Sequence, residues 1–264
     1  MKRKRKDPLE IAYSILKRVA DKPKNPKFKN LGATELYRAQ RIKKENNLKK
    51  VRFKRYKRGS IVMVDFGVNT GNEMSGVHFA ITLTKHDHPY KGTLTVIPLS
   101  SKNKPYYLPL QKDMIQIIFD KIMKDAFKVE ELHAIALSIL QHKEIYHKHD
   151  SGISYTMSSP VFNELLREIN KDYDLLNPID FTIVLDNIEQ KIKQMDEVYN
   201  HYSRFINDSY AHIDGITQVS KFKILKPVND YDPIGKTQIP ISMMEKIEFE
   251  IVKRFLGQNW VIDK

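Results

Sequence analysis

The sequence contains no cysteine, a single tryptophan and no long apolar run. Without cysteine the chain has no disulfide, thiolate zinc site, iron–sulfur cluster or cysteine nucleophile. No apolar run approaches the roughly 18 residues of a membrane-spanning helix, and the basic N-terminus lacks the apolar stretch of a signal peptide. We therefore expect a cytoplasmic protein without a membrane anchor.

Motifs that identify several enzyme classes are also missing. The sequence contains no HExxH, GxxxxGK[ST], GxSxG or GxGxxG, which are typical of zinc proteases, P-loop NTPases, serine hydrolases and dinucleotide enzymes. His142, His147, His149 and Asp150 form a histidine-rich tract, but the first two do not share a helical face. We interpret the tract as the end of a solvated helix rather than a metal site, and expect no metal or cofactor.

Positive charge is abundant and lies at one end of the chain. The 264 residues hold 45 Lys and Arg against 32 Asp and Glu, a formal net charge of +13, and residues 1–58 alone hold 22 basic and 5 acidic residues. Such a segment predicts a polyanionic partner, most simply RNA or DNA. The basic run 49–58 interleaves Phe53 and Tyr56 with the charges, which predicts phosphate contacts with base stacking. The alternative is a solvated charged face.

Changes in hydrophobic periodicity divide the chain into four parts. They are a basic helical extension, a β-rich segment, a mostly helical segment, and a second β-rich segment that ends in a helix. Their bounds are 1–57, 58–110, 111–205 and 206–264. Strands interrupted by helices predict an α+β architecture, a β core split by a helical insertion.

Local signals predict the individual elements. Asp7-Pro8 predicts the start of a helix. His78 is predicted to lie on the polar face of the second strand. Residues 86–89 (HDHP) are interpreted as a turn. Apolar residues along the longest helix alternate steps of four and three, a heptad seam that fits either an intramolecular helical hairpin or a coiled-coil dimer. The expected helices are 8–20, 33–48, 113–122, 132–139, 160–169, 178–206 and 241–256, and the expected early strands are 61–66, 78–84, 93–99 and 106–110.

Three stretches of the β-rich segment carry a recognisable pattern. They read RGSIVMVDF at 58–66, GNEMSGVHFA at 71–80 and TVIPLSSK at 95–102. In order, they resemble the R-G-D-I-x-x-V-D-F, G-x-E-x-x-G-x-R-P-A and V-x-P-[IL]-T-S segments of the MazF/PemK family of toxin endoribonucleases. A weaker second block, at 213–224 and from Gly235 through the last helix, is similar to the end of the family pattern.

The resemblance implies a fold, an activity and partners. The family is a small SH3-like β-barrel, usually a homodimer, that cleaves single-stranded RNA without a metal and is held inactive by a cognate antitoxin. We therefore expect an SH3-like barrel split by the helical insertion, with single-stranded RNA as substrate and an antitoxin protein as partner.

The resemblance also assigns candidate catalytic residues. The family's strand-2 arginine and strand-3 threonine correspond to His78 and Ser100. Histidine exchanges a permanent cation for a titratable group that can act as acid or base, and serine keeps the hydroxyl. Glu73 is either a second acid/base or a loop-shaping residue, and Gly215 replaces the glutamine of the family's D-Q pair.

The expected reaction is attack of the RNA 2′-hydroxyl on the adjacent phosphorus, which leaves a 2′,3′-cyclic phosphate and a 5′-hydroxyl. His78 would transfer the proton, while Ser100 and Ser101 would position phosphate oxygens. The remaining residues expected to bind RNA or offset its charge are Arg58, Lys102, Lys223, Lys54, Arg55 and Tyr56.

Two other interpretations stay open at this point. A barrel beside a basic arm can bind RNA or DNA without catalysis, since both catalytic positions are substituted. Alternatively, the protein acts in phage defence, with the same nuclease chemistry but with a trigger other than release from an antitoxin. In that case the segment 106–205, with 16 acidic and 11 basic residues, would regulate the site or mimic an antitoxin.

Deleting residues 1–50 tests the basic segment as an RNA-docking arm. The deletion removes most of the surplus positive charge, so we expect weaker RNA binding and a flatter dependence of affinity on salt, while some cleavage remains. Anisotropy titrations at several salt concentrations measure both quantities. An unchanged affinity and salt slope would contradict the docking role.

Overall fold

The computed structural model describes residues 7–47, 50–110, 113–141, 146–149, 152–155, 181–205 and 208–256. These residues fall into two compact units. The first is built from stretches within 1–114, 207–226 and 234–264, and the second from stretches within 115–206 and 227–233.

Two helices begin the first unit. Helix α1 spans Pro8–Asp21 and α2 spans Leu31–Asn46, with a 3₁₀ turn at Pro26–Asn30 between them. The Asp7 side chain caps α1 by accepting a hydrogen bond from Leu9 N at 3.0 Å. The segment between the two expected helices thus includes a helical turn.

The strands are β1 (Ile61–Asp65), β2 (Val77–Thr82), β3 (Thr93–Ser100), β4 (Leu108–Pro109), β5 (Tyr146–His149), β6 (Gly152–Tyr155), β7 (Tyr210–Ala211) and β8 (Thr217–Ser220). In the described part of the chain, six of them form one antiparallel sheet in the order β1-β2-β3-β7-β4, with β8 also paired to β3. The sheet joins strands from before and after the helical segment, and it is consistent with the small barrel expected from the sequence.

Apolar side chains cover both faces of the central strands. One face carries the core cluster, whose buried members are Val62, Val64, Phe66, Ala80, Leu94, Val96 and Val219. The other face carries Ile81, which lies opposite both Ile61 and Ile97. The polar face predicted for the second strand is wrong, because Ala80 and Thr82 on that face are fully buried. Thr82 is accommodated by donating to the Lys57 carbonyl at 2.6 Å.

The first unit contains an ion pair that is almost fully buried. The side chains of Lys221 and Asp87 are 2% and 1% exposed, and Lys221 Nζ lies 2.7 and 2.8 Å from the two carboxylate oxygens. The carboxylate also accepts hydrogen bonds from the backbone N–H groups of Tyr56 and His88, at 2.8 and 2.9 Å. Lys221 donates further to the Lys54 carbonyl at 3.1 Å. The histidine-flanked turn therefore also carries one half of a buried salt bridge, which the sequence analysis did not foresee.

Helix α3 (Asp113–Gln141) and strands β5 and β6 differ from the sequence prediction. The helix is continuous where two were expected, since no glycine or proline interrupts it. His147 and His149 lie in β5, which pairs with β6, so the predicted helix end is wrong for them; the tyrosines at 146 and 155 favour strands. The expected helix at 160–169 lies outside the described residues.

Helix α4 (Phe181–Ser203) packs within the second unit. Its buried residues are Ile188, Met195, Val198 and Tyr202. The predicted seam contained Tyr199, which is 42% exposed and meets Phe119 of α3 edge to face at 5.2 Å. The Tyr202 hydroxyl donates to Asp232 at 2.8 Å, and burial, then the Asp232 charge, raise the pKa of Tyr202. These contacts favour the intramolecular arrangement over the coiled-coil dimer.

The last helix, α5, spans Ile241–Phe255. It buries Met243 and Ile247, whereas Phe255 at its last position is 55% exposed. No helix in the described ranges is long and apolar enough to cross a membrane.

Replacing Lys221 by Met is expected to lower the free energy of unfolding by about 3–5 kcal/mol, because Asp87 would stay buried without its partner charge. The double variant that also carries Asp87→Asn should lose less free energy of unfolding than the sum of the losses in the two single variants. The reason is that no unpaired charge remains in it. Urea unfolding measures these losses. The control Arg38→Met removes an ion pair to Glu35 in which Arg38 is exposed, and should cost about 1 kcal/mol or less. An equally small loss for Lys221→Met would contradict the prediction.

Candidate functional site

The sheet register brings the two candidate catalytic residues onto neighbouring strands. Ala80 of β2 pairs with Pro98 of β3, and continuing this register by two residues places His78 opposite Ser100. Because paired residues share a face of the sheet, both side chains lie on the face that carries the core cluster. His78 also pairs with Val64 of β1, so the candidate site begins where the apolar core ends.

Both ring nitrogens of His78 lie next to backbone carbonyl oxygens. Nδ1 is 3.1 Å from the Leu99 oxygen and Nε2 is 3.0 Å from the Ser75 oxygen. A neutral imidazole carries one N–H and can donate to only one of them, whereas an imidazolium donates to both. The half-buried ring is thus held between β3 and the loop 67–76, and a proton transfer through it requires one hydrogen bond to open.

Ser100 and its neighbours present hydroxyl groups and charge at the end of β3. Ser100 Oγ accepts a hydrogen bond from Lys102 N at 3.0 Å, which leaves the hydroxyl proton available to an oxygen of a ligand. Ser100 is half-buried, while Ser101 and Lys102 are exposed. The geometry can support phosphate contacts from all three.

The loop 67–76 has a defined conformation that depends on Asn69. Its side-chain amide donates to the Phe66 and Met74 carbonyls at 3.2 and 2.7 Å, and its backbone N–H donates to Ser75 Oγ at 3.0 Å. The ends of the loop are joined by a bond from the Gly76 N–H to the carbonyl of residue 67, at 2.6 Å. Asn69 therefore shapes this loop.

A groove of about 660 Å³ lies between the loop 67–76 and the segment 212–219. Exposed Glu73 and half-buried Lys223 line it, so the structure brings these two candidates together. His78 and Ser100 are not part of its lining.

Arg58 and Tyr56 of the basic run are engaged in structural contacts. The Arg58 guanidinium binds Glu248 of α5 at 2.8 Å and donates to the Leu83 carbonyl. The Tyr56 ring packs against the core cluster, and burial, then Asp87, raise the pKa of its hydroxyl. A Cβ at Gly235, whose φ is +73°, would lie 2.9 Å from the Tyr56 ring, so that position needs glycine for both space and conformation.

The other side chains of the basic run alternate between pointing into the protein and pointing outward. Phe53 is half-buried and meets Phe222 edge to face at 5.1 Å. Lys54 and Arg55 are exposed, with Lys54 Nζ 5.5 Å from the centre of the Tyr56 ring. The run therefore presents its charges outward and its aromatic rings inward.

His212 is a groove residue that the sequence analysis missed. It lines the groove together with Glu73 and Lys223, and its ring stacks on Tyr107 at 4.5 Å. The available signal was Gly215, because a glycine has no Cβ and leaves space beside the chain. The structure fills that space with the His212 ring.

A second groove of about 410 Å³ separates α2 from the sheet. Arg38, Arg41 and Lys223 line it, together with the acidic side chains of α2. Arg41 is bound to Asp65 at 2.6 Å. Phe66, Asn69 and Lys223 line both grooves.

Comparison with known proteins identifies one family. Residues 57–145 match the sequence model of the PemK-like, MazF-like toxin of type II toxin–antitoxin systems. The resemblance predicted from residues 58–102 is thus confirmed, and the match continues through α3, which we had assigned to an insertion. The second block, at 213–224 and beyond, lies outside the match and stays a prediction. Among curated proteins, none matches the chain.

Replacing Asn69 by Ala is expected to loosen the loop 67–76, because the two hydrogen bonds from the side-chain amide to the Phe66 and Met74 carbonyls are lost. Hydrogen exchange at the Phe66 and Gly76 amides, which are bonded across the loop ends, should become faster by roughly ten-fold, on the order of 1–2 kcal/mol. The matched control is Asn72→Ala, at an exposed position of the same loop. Equal exchange rates in both variants would contradict the role of Asn69.

Proposed function

We propose, on the premise that residues 57–145 form a PemK-like, MazF-like toxin segment, that this protein is a toxin endoribonuclease that cleaves single-stranded RNA. The family match carries this proposal. The register that sets His78 opposite Ser100 supports it, because the two residues come from separate motifs of the resemblance.

In the proposed reaction, the 2′-hydroxyl attacks the adjacent phosphorus, the bond to the 5′-oxygen breaks, and a 2′,3′-cyclic phosphate remains. Ser100 and Ser101 position phosphate oxygens. His78 contributes a proton or, held between its two carbonyls, a fixed positive charge near the phosphate. Glu73 is the second acid/base candidate. The proposed route takes its proton transfer from side chains and needs no metal ion.

Positive charge around the groove is proposed to bind the RNA. Lys102 follows the two serines at the end of β3, Lys223 lines the groove, and Lys54 and Arg55 are exposed on the basic run. Arg58 and Tyr56 act in this proposal through the fold, because Arg58 is bound to Glu248 and the Tyr56 ring packs on the core.

A second candidate function is RNA or DNA binding without cleavage. The observation that favours it is the double engagement of the His78 ring, which hinders proton transfer by this residue. The two functions differ in one measurable property, the appearance of new RNA ends.

The family match supports a proposal for the biological role. A type II toxin is paired with an antitoxin and is typically a dimer, so we propose a cognate antitoxin as the protein partner and inhibition of growth as the effect. Action in phage defence under another trigger is the alternative, and a growth assay with and without the neighbouring reading frame separates the two.

Incubation of the purified protein with mixed-sequence single-stranded RNA tests the activity. Cleavage is expected with and without EDTA, giving cyclic phosphate and 5′-hydroxyl ends. Ser100→Ala should lower the rate by about 100-fold or more, because a hydrogen bond to the phosphate is lost in the transition state. The matched control is Ser242→Ala, at an exposed position of α5, which should retain the rate.

His78→Ala is expected to abolish both cleavage and growth arrest. Circular dichroism checks its fold, since the change leaves two carbonyls without their donor. RNA that is bound but never cut by the unaltered protein would support the binding function instead, and cleavage that EDTA stops would contradict the proposed metal-independent route.

A further inference from the structure

One buried polar atom near the groove lacks a hydrogen-bond partner. In the described part of the chain, His212 Nδ1 is the buried side-chain nitrogen or oxygen for which none is found. Buried polar groups are usually paired, so such an exception often marks strain or chemistry. His212 is otherwise well fixed, because its ring stacks on Tyr107 at 4.5 Å and its backbone N–H donates to the Pro98 carbonyl at 3.0 Å.

Gly215 determines the orientation of this ring. A Cβ at position 215 would lie 2.4 Å from His212 Nδ1 and 2.8 Å from both Cε1 and Cγ. These distances are far below contact distance, and the backbone of Gly215 is not left-handed, so the glycine is needed for space rather than for conformation. The ring thus turns its Cγ–Nδ1–Cε1 edge towards Gly215, and Nε2 lies on the opposite edge.

The sheet register puts His212 close to the proposed reaction centre. Leu99 pairs with Ala211, and Ser100 pairs with Tyr210. The hydrogen bond from His212 N to Pro98 O continues the pairing of β3 with β7 by one residue. His212 therefore lies two residues from Tyr210, the partner of Ser100, and is the diagonal neighbour of Ser100 on the same face of the sheet. Such neighbours are about 7 Å apart, a distance that one phosphate group with its ribose can span.

We propose that His212 is a catalytic residue whose Nε2 takes the proton from the RNA 2′-hydroxyl. This inference rests on the proposed function and names its base. The bond from the 2′-oxygen to phosphorus forms, the bond from phosphorus to the 5′-oxygen breaks, and the departing 5′-oxygen takes a proton from water. His78 then acts as a fixed group near the phosphate, which agrees with the two carbonyl oxygens that hold its ring.

The surroundings of His212 suit a base. Burial lowers the pKa of the ring, and the positive charges of Lys104 and Arg254 lower it further, whereas Asp214 raises it. Glu73 and Lys223 are the other charged groups of the groove. A lowered pKa keeps the imidazole neutral near pH 7, the form that accepts a proton. The cleavage rate should therefore rise with pH through the His212 pKa and level off above it.

His212→Gln is the direct test, with kcat/KM measured across pH and RNA affinity measured in parallel. We expect a loss of 100- to 10,000-fold in kcat/KM, disappearance of the rise with pH, and a Kd for mixed-sequence single-stranded RNA within about three-fold. The matched control is His201→Gln in α4. His201 is half-buried and its pKa is likewise lowered, first by burial, yet it is not part of the groove lining, so its rate and profile should be unchanged.

Gly215→Ala provides a second route if the glutamine variant does not fold. Its Cβ must displace the ring while His212 stays in the sequence, so cleavage should fall by 100-fold or more. A wild-type rate and pH profile in either folded variant would overturn the role of His212 while leaving the proposed nuclease function intact. Absence of cleavage by the unaltered protein would overturn both.

Discussion

The buried ion pair between Lys221 and Asp87 is the constraint on which the first unit depends. Two charges out of contact with water are stable only when each is fully paired and hydrogen-bonded, and here the backbone around residues 54–56 and 88 completes the set. The pair joins the basic run, the turn after β2 and the end of β8, which are far apart in sequence. The basic run is therefore part of the fold, and the side chains of Lys54 and Arg55 are its exposed charges.

The candidate site forms where the apolar core gives way to polar groups. The buried valines of β1 are paired with residues of β2, and these are paired in turn with residues of β3. At the end of the paired strands these residues are His78 and Ser100. The loop 67–76 closes this end, with its shape set by Asn69. Polar groups at the edge of an apolar core are partly desolvated, which strengthens their electrostatic effect on a bound phosphate.

Two histidines near this edge differ in what surrounds them. His78 has a carbonyl oxygen at each ring nitrogen, whereas His212 has a buried nitrogen without a partner and a ring placed by stacking and by the space over Gly215. The first arrangement holds both ring nitrogens, whereas the second leaves Nδ1 without a partner and places Nε2 on the edge away from Gly215. This difference supports the separate roles proposed for the two histidines.

Signals between neighbouring residues predict the start of α1 at Asp7, the first three strands, and the resemblance of residues 57–145 to the PemK-like, MazF-like toxin model. The same signals fail at α3, which is one helix, and at β5, which was predicted as the end of a helix. Tertiary structure decided the rest: which acid pairs with Lys221, that both faces of β2 are covered, and that the His212 ring occupies the space left by Gly215. Such contacts depend on the register between strands that are distant in the chain. Composition gives the sign of each charge, but it does not give the residue with which that charge pairs.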